Sequence, residues 1–182
     1  TDAEGKVYKN AQDKWKQINH YIELLSTELK ALPAKETLQV VDMGAGKGYL
    51  TFALYDYPNN ELKRAAAVEG VEYREDLVTL CNQIAQNADF TQLHFSQGTI
   101  ENYSPAKKLD ILIALHACDT ATDYALYKSI LWKASVVLSV PCCQHEWNRQ
   151  MDCNPLTPFV KYGIVKERMS ALMTDAFRAN VM

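Results

Sequence analysis

The sequence predicts an α/β fold in which helices pack on both faces of a doubly wound, mainly parallel sheet. Three observations support this. Short apolar segments alternate along the chain with amphipathic helical segments, as in parallel sheets. The 182 residues suit one domain, and the 48% of them that are hydrophobic can form its core. One apolar segment also leads directly into a glycine-rich turn and a helix.

The first third of the chain predicts a helix, a strand and a second helix. Apolar residues recur at three- and four-residue spacing over residues 9–32, which predicts one long amphipathic helix ending before Pro33. The apolar segment "TLQVV" predicts the first strand, and a helix is expected over residues 49–57. We expect residues 1–33 to form an N-terminal helix packed on the core and residues 34–182 to form one domain.

Four more strands and three more helices are predicted further along. The strands, in chain order, are "AAAVEGV", "LHFSQG", "LDILIALHAC" and "SVVLSVPCC". The helices between strands are "REDLVTLCNQIAQ" and "DTATDYALYKSILWKA", and Asp119 or Thr120 can cap the latter. Pro155 and Pro158 indicate a loop before a final helix over residues 165–179, after which no strand is predicted.

Composition narrows the class of protein. No apolar run has the length of a membrane span and the N-terminus lacks the apolar core of a signal peptide, so we expect a cytoplasmic protein without membrane contact. The five cysteines are odd in number and two are adjacent, which indicates reduced thiols. The formal net charge is -3, so the chain has no overall excess of basic residues of the kind that nucleic-acid-binding proteins often have. Basic residues nevertheless cluster near both ends: Lys6, Lys9, Lys14 and Lys16, then Lys161, Lys166 and Arg168.

The segment "VVDMGAGKGYLT" carries the most specific motif. A phosphate-binding P-loop requires Gly-Lys-Ser/Thr, whereas Lys47 is followed by Gly48. The dinucleotide fingerprint is G-x-G-x-x-G, whereas Gly44, Gly46 and Gly48 form G-x-G-x-G. Asp42 would repel a pyrophosphate but attract a ligand that carries an ammonium and a sulfonium group. The motif therefore favours S-adenosylmethionine over NAD.

Further cofactor contacts are expected at the ends of neighbouring strands. An acid at the end of the second strand can accept hydrogen bonds from both ribose hydroxyls. Glu72, at the strand-to-helix junction, is the preferred acid and Glu69 the alternative. The other predicted contacts are Gly98, Thr99 and Ile100 near the adenine, Leu115 in the fourth strand, and Lys14 and Gln17 for the carboxylate of the methionine moiety.

These motifs carry a resemblance to a known family. "VVDMGAGKGYLT" with "GVEYREDLV" resembles motifs I and II of the class I S-adenosylmethionine-dependent methyltransferases. "DMGAGKGYLTFAL", "LIALHACDTATDYAL" and "VPCCQHE" together resemble a narrower group whose fourth strand ends in His-x-Cys-Asp and whose fifth ends in Pro-Cys-Cys-x-His. A related pattern occurs in a family of tRNA 2'-O-methyltransferases that act near the acceptor stem.

The resemblance implies a Rossmann-like methyltransferase sheet, S-adenosylmethionine as cofactor and RNA as the favoured acceptor. Two alternatives stay open: the acceptor is a small molecule or a protein, or the domain binds the cofactor without catalysing a reaction. Two features depart from the family pattern. The sheet of this class usually ends in an antiparallel pair of strands that is not predicted here, so we expect a truncated sheet. The fourth strand also lacks the Asn/Asp-Pro-Pro-Tyr motif, which argues against methylation of exocyclic base amines.

Histidine and cysteine residues follow the fourth and fifth strands. Because ligands bind beyond the carboxyl ends of parallel strands, we expect these residues near the methyl-transfer site. They are His116, Cys118, Asp119, Cys142, Cys143 and His145.

Three interpretations of this cluster stay open. The side chains can form a tetrahedral zinc site, or a cysteine of the fifth strand can be a nucleophile, as in enzymes that make 5-methylcytosine. In the third, His116 or His145 is the proton acceptor, Asp119 orients it, and the cysteines line the pocket. The third is favoured, so the predicted catalytic residues are His116, Asp119, Cys142 and His145, and no metal is expected.

Overall fold

A computed structural model of the protein describes residues 8–33, 37–115, 117, 119–152 and 154–181. Its strands are β1 (Leu38–Met43), β2 (Ala66–Glu72), β3 (Leu93–Gln97), β4 (Ile111–Ala114) and β5 (Val136–Ser139). They form one all-parallel sheet in the order β3-β2-β1-β4-β5. The predicted doubly wound α/β fold is confirmed.

Seven α-helices are present in the described residues. They are α1 (Gln12–Ala31), α2 (Tyr49–Asp56), α3 (Glu75–Asn87), α4 (Thr120–Leu131), α5 (His145–Gln150), α6 (Thr157–Val160) and α7 (Gly163–Val181). Short 3-10 turns at Lys9–Ala11 and Asn154–Leu156 precede α1 and α6, and a π-helical turn at Tyr57–Glu61 extends α2. Among these helices, none combines the length and the apolar character that crossing a bilayer requires.

Two of these helices lie where the sequence indicated a loop. The short helix α5 begins directly after the cysteine pair, and a carboxylate from a distant element binds its first turn, as described below. Pro158 lies at the start of α6, a position where proline is well tolerated because the first N–H groups of a helix have no partner within it. Proline therefore marks a helix start here.

Two apolar cores enclose the sheet. One face is covered by α1, α2 and α3, and its core includes Leu29, Leu54 and Phe95. The other face is covered by α4 and by the segment that links β3 to β4, and its core includes Met43 and Leu112. The helix α1 contributes Leu25 as well as Leu29 to the first core, so it packs directly on the sheet.

The fourth and fifth strands are shorter than predicted. Every residue of β4 is buried, whereas every residue of β5, at the edge of the sheet, is only partly buried. The Val140 N–H still donates to the Ala114 carbonyl oxygen at 3.4 Å. The next residue, Pro141, has no N–H and cannot continue the ladder. The cysteine pair therefore lies beyond the sheet.

The strand order places the candidate site. The chain leaves β1 towards β2 on one side and reaches β4 on the other, so the order reverses between β1 and β4. In open α/β sheets, ligands bind at this reversal, beyond the carboxyl ends of the strands.

Candidate cofactor and acceptor site

The three predicted glycines form the turn after β1. Gly44, Gly46 and Gly48 have φ angles of +77°, +58° and +71°, a region that side chains disfavour. A Cβ atom on Gly48 would lie 3.0 Å from the rings of both Phe52 and Phe95. Among described atoms, a Cβ atom on Gly46 would meet just the Gly44 carbonyl oxygen, at 3.9 Å. Gly48 therefore allows the turn to pack against its helix, and the open side of Gly46 permits a ligand to approach the backbone.

Backbone hydrogen bonds join the turn to its neighbouring strands. The N–H groups of Gly44 and Ala45 both donate to the Val71 carbonyl oxygen, at 2.9 and 3.0 Å. On the next strand, the Gly98 N–H donates to the Glu72 carbonyl oxygen at 3.0 Å. The ends of β1, β2 and β3 are thus tied together by main-chain atoms.

Asp42 is a buried acid at the end of β1, with 4% of its surface exposed. The Thr51 hydroxyl in α2 donates to its Oδ2 atom at 2.6 Å. Burial raises the pKa of Asp42 to about 6, and the Thr51 hydrogen bond opposes this shift. A ligand cation placed beside the carboxylate would favour its ionised form.

Glu72 occupies the position predicted for the ribose-binding acid. Its Oε2 atom accepts a hydrogen bond from the Gly46 N–H at 2.8 Å, and its Oε1 atom accepts one from the Arg74 N–H at 3.1 Å. Each carboxylate oxygen can accept a second hydrogen bond, so Glu72 keeps acceptor capacity for two hydroxyl groups. The acid and the glycine turn therefore form one hydrogen-bonded unit.

Glu69, the alternative acid, has a different role. The Ser96 hydroxyl donates to one of its oxygens at 2.7 Å and the Tyr103 hydroxyl to the other at 2.6 Å. Burial, and then the hydrogen bond to Glu69, raise the pKa of Tyr103. Glu69 thereby anchors the segment between β3 and β4.

Two cavities meet at Gly44. The Glu72 cavity, of about 310 Å³, is lined by Gly44, Val71, Glu72, Tyr73, Gly98, Thr99, Ile100, Glu101, Ala117, Ala121 and Tyr124. The Asp42 cavity, of about 250 Å³, is lined by Lys14, Asp42, Gly44, Ala45, Gly46, Lys47, Tyr49 and Leu50. A ligand that spans Gly44 would contact both acids, and cavities of this size suit small molecules.

Most of the predicted cofactor residues come together at these cavities. Of the others, Gly48 serves the packing of the turn, and Leu115 is buried in the core on the α1–α3 face. Gln17 accepts a hydrogen bond from Lys14 Nζ at 3.1 Å, next to the Asp42 cavity. Tyr73, Glu101 and Tyr124 also line the Glu72 cavity but were not predicted from the sequence. Tyr73 and Glu101 directly follow the predicted contacts Glu72 and Ile100, and this adjacency is the signal that could have identified them.

The predicted histidine and cysteine cluster at the methyl-transfer site is described in part, because His116 and Cys118 lie outside the described residues. Asp119 has a φ of +58°, and both oxygens of its carboxylate accept the Glu146 N–H, at 3.1 and 3.0 Å. Its side chain makes no capping hydrogen bond at α4, contrary to one prediction, and binds the start of α5 instead. Asp119 therefore fixes the helix that begins at His145.

The helix α7 reaches the same junction. The Arg178 guanidinium donates to the Asp119 carbonyl oxygen at 3.1 Å and to the Asp123 carboxylate at 2.6 and 3.2 Å. The rings of Trp147 and Phe177 pack edge to face with their centroids 5.4 Å apart. The ends of β4 and β5 are thus held together through α5 and α7.

Cys142, Cys143 and His145 line a third cavity, the cysteine cavity, of about 240 Å³. Gln144, Asn148, Gly163 and Glu167 complete its lining. The Sγ atoms of Cys142 and Cys143 lie 3.3 Å apart. The described residues include no group of three or more His, Cys, Asp or Glu side chains arranged to hold a metal ion, and two members of the predicted cluster lie outside them.

A family model described as a methyltransferase domain matches residues 13–150. The chain belongs to this family. The match includes the glycine turn, both acids and the start of α5. It confirms the predicted class, an S-adenosylmethionine-dependent methyltransferase domain, and with it the predicted cofactor of the family.

Individual relatives are more distant. The protein-lysine N-methyltransferase efm4 of Schizosaccharomyces pombe is 25% identical over 88 residues, which are 48% of this chain and 37% of that protein. Coclaurine N-methyltransferase, solved with N-methylheliamine and SAH, is 14% identical with a TM-score of 0.52, over 70% of this chain and 36% of the other. The CMeT domain of citrinin polyketide synthase is 18% identical with a TM-score of 0.50, and the match covers 60% of this chain and 30% of the other. These structures share the fold, and the chain spans less than two thirds of each relative.

Proposed function

We propose that this protein transfers the methyl group of S-adenosylmethionine to RNA. One observation carries the choice of RNA: aromatic and basic side chains are exposed together near the start of α1, the helix whose Lys14 lines the Asp42 cavity. Trp15 and Tyr8 are 52% and 56% exposed, and each is followed by an exposed lysine, Lys16 and Lys9. Lys14 lines the cavity itself. Exposed rings that stack on bases, combined with cations that bind phosphates, are typical of single-stranded nucleic acid binding.

A second surface of the same kind lies beside the cysteine cavity. Phe159 and Tyr162 are each 56% exposed, and Lys161 Nζ lies 4.9 Å from the centroid of the Tyr162 ring. The basic residues Lys166 and Arg168 follow in α7. The two surfaces together account for both basic clusters of a chain whose net charge is negative.

The residues of the glycine turn fit S-adenosylmethionine. The buried Asp42 carboxylate can bind the positively charged part of the ligand, Glu72 can accept the ribose hydroxyls, and Lys14 can bind the carboxylate. When bound, the cofactor supplies an electrophilic methyl group on a sulfonium sulfur. Hydrogen bonds hold two of these groups in place before any ligand arrives: the Thr51 hydroxyl binds Asp42, and the main-chain N–H groups of Gly46 and Arg74 bind Glu72. Such positioning contributes to the rate of an in-line displacement.

The acceptor chemistry that we propose to test first is a ribose 2'-hydroxyl, because of the resemblance to tRNA 2'-O-methyltransferases. A hydroxyl loses its proton when it is methylated, so the site needs a proton acceptor. His145 is exposed at the cysteine cavity, and Asp119 fixes its helix. His145, together with His116 of the same predicted cluster, is the candidate, and Cys142 lines the pocket.

Labelled methyl transfer tests this function. S-adenosylmethionine with a labelled methyl group should label the RNA fraction of a cell extract, and D42A should abolish the labelling. The D42A protein should keep the circular dichroism spectrum of the wild type. Labelled 2'-O-methyl linkages should resist alkaline hydrolysis, whereas base methylation would leave the backbone cleavable. Label in the protein fraction alone would refute the RNA proposal.

Matched variants test the basic and aromatic surface of α1. W15A should weaken binding to single-stranded RNA about tenfold, from the loss of one stacked base at roughly 1–3 kcal/mol. Y127A removes an equally exposed ring from α4 and should leave binding unchanged. K9A/K16A should reduce the slope of log affinity against log salt by about 1.4, since each single-strand phosphate contact contributes about 0.7. The control K30A/K133A should keep the wild-type slope.

A protein acceptor is the second candidate, because the relative from Schizosaccharomyces pombe is named a protein-lysine N-methyltransferase. The acidic net charge would also favour a lysine-rich substrate. In the same labelling experiment, acid hydrolysis of labelled protein to methyl-lysine would support this candidate. The K9A/K16A protein would then retain activity.

A further inference from the structure

We propose that Cys142 and Cys143 form a redox-sensitive dithiol that hydrogen peroxide converts reversibly to a disulfide between adjacent residues. Within the described part of the chain, the cysteine cavity shares no lining residue with the Glu72 cavity or the Asp42 cavity, and the disulfide adds a modification that a methyltransferase domain does not require. The cysteine pair lies between the end of β5 and the start of α5, on the wall of the cysteine cavity.

Proximity and access distinguish this pair from other thiols. The two Sγ atoms are 3.3 Å apart, Cys142 is exposed and Cys143 is partly buried. By contrast, Cys81 is buried, and burial followed by the charge of Glu72 raises its pKa. A buried thiol with a raised pKa reacts slowly, because the thiolate is the reactive form. Cys81 is therefore an internal control.

The two sulfur atoms need to move only a short way to form a disulfide. They lie 3.3 Å apart, and a closure of about 1.3 Å reaches the disulfide bond length of about 2.05 Å. The imidazole of His145 lines the same cavity and can accept a thiol proton.

The chemistry balances with hydrogen peroxide as the oxidant. The Cys142 thiolate attacks one peroxide oxygen, the O–O bond breaks, and the products are a sulfenic acid and, after protonation, one water. The Cys143 thiolate then attacks the sulfenic sulfur, an S–S bond forms, the S–O bond breaks, and a second water leaves. The two thiols lose two electrons and two protons in total, and the peroxide is reduced to water.

The product should be easy to reduce. Neighbouring Cα atoms are about 3.8 Å apart, closer than the roughly 4.4–6.8 Å that is usual in disulfides. The resulting strain makes the bond more reducible, which is a property of regulatory disulfides. A disulfide between adjacent residues closes a small ring that includes their peptide bond, and this ring would also constrain the segment that leads to His145. The oxidised state should therefore differ from the reduced one in the shape of the cysteine cavity.

Peptide mass mapping tests this on the full chain. Trypsin should release residues 134–149 as one peptide that contains both cysteines of the pair and no other. After peroxide treatment and alkylation, this peptide should lack both alkyl groups and be lighter than the reduced peptide by two hydrogen atoms. Dithiothreitol given before alkylation should restore two alkyl groups, and C81S should give the same result.

Other products would overturn the proposal. A disulfide that joins residues 134–149 to residues 109–128 or 150–161 would assign the partner to Cys118 or Cys153. Two alkyl groups after peroxide, or sulfinic acid as the first product, would show that the pair does not close. In C143S the reaction should stop at a sulfenic acid on Cys142, which dimedone traps. This readout needs no methyl transfer, so it is separate from the proposed function.

Discussion

Replacing Asp42 by asparagine should stabilise the ligand-free protein and abolish cofactor binding. The Asp42 carboxylate is fully buried, and burial raises its pKa from 3.8 to about 6. An asparagine has nearly the same shape and can still accept the Thr51 hydrogen bond. D42N therefore removes a buried charge with little change in packing, but it also removes the attraction for a cationic ligand.

The magnitude follows from the pKa shift. A shift of about two pH units corresponds to about 3 kcal/mol, from 1.36 kcal/mol per unit. This shift already includes the opposing effect of the Thr51 hydrogen bond, so the gain in D42N at high pH should be about 3 kcal/mol. Because the folded pKa is raised, the contribution of Asp42 to stability is fully present below about pH 4. It is lost as the pH rises through 6.

Urea unfolding between pH 4 and pH 8 provides the assay. The difference in unfolding free energy between D42N and wild type should be largest at pH 8 and should shrink as the pH falls towards 4. E61Q, at an exposed carboxyl group, should show a small difference that does not change with pH. S-adenosylmethionine should raise the melting temperature of the wild type and of E61Q but not that of D42N. A D42N protein less stable than wild type at pH 8 would refute the reasoning, as would a difference independent of pH.

Three further substitutions test the packing around the site by urea unfolding. G48A should lower the unfolding free energy by about 3 kcal/mol, because the added Cβ atom is crowded and the backbone φ is positive. G163A adds a Cβ atom in open space and should change the unfolding free energy by less than about 1 kcal/mol. Equal effects of the two substitutions would contradict the packing argument. Y103F should cost about 1 kcal/mol because Glu69 loses one of its two hydroxyl donors, and an unchanged value would argue against this anchor. R178A should lower the unfolding free energy by about 2 kcal/mol, because α7 is no longer bound to the start of α4. This decrease should persist in high salt, since the guanidinium is largely buried. A decrease that high salt eliminates would indicate a surface ion pair.

The sequence predicted the features that depend on local patterns. The strand before Asp42 and the helix after Gly48 follow from hydrophobic periodicity, and three glycines at alternate positions predicted a tight turn between them. Glu72 was preferred over Glu69 because of its place at a strand end, and it lines a cavity beside that turn. In such cases the residue and its structural consequence lie within a few positions of each other.

The remaining features depend on contacts between distant residues. Asp119 was one of two candidates to cap its own helix, since caps are normally local, as well as a candidate to orient a histidine. Its carboxylate binds the start of α5, 27 residues later in the chain. Thr51 carried no signal for its bond to Asp42, since serine and threonine are common in helices. The helix α5 was missed for a related reason: six residues are too few for a recognisable period, and its start depends on Asp119.

The main-chain hydrogen bonds that tie together β1, β2 and β3 have a consequence for protein engineering. Val71 and Glu72 use their carbonyl oxygens to position the glycine turn and Gly98, so these parts of the cleft do not depend on the side chains of Thr99 and Ile100. Substitution of Thr99 or Ile100 should therefore leave the positions of the glycine turn and of Gly98 unchanged. Smaller residues at these two positions should admit cofactor analogues with bulky adenine substituents, which would allow the substrates of this enzyme to be tagged selectively among those of other methyltransferases.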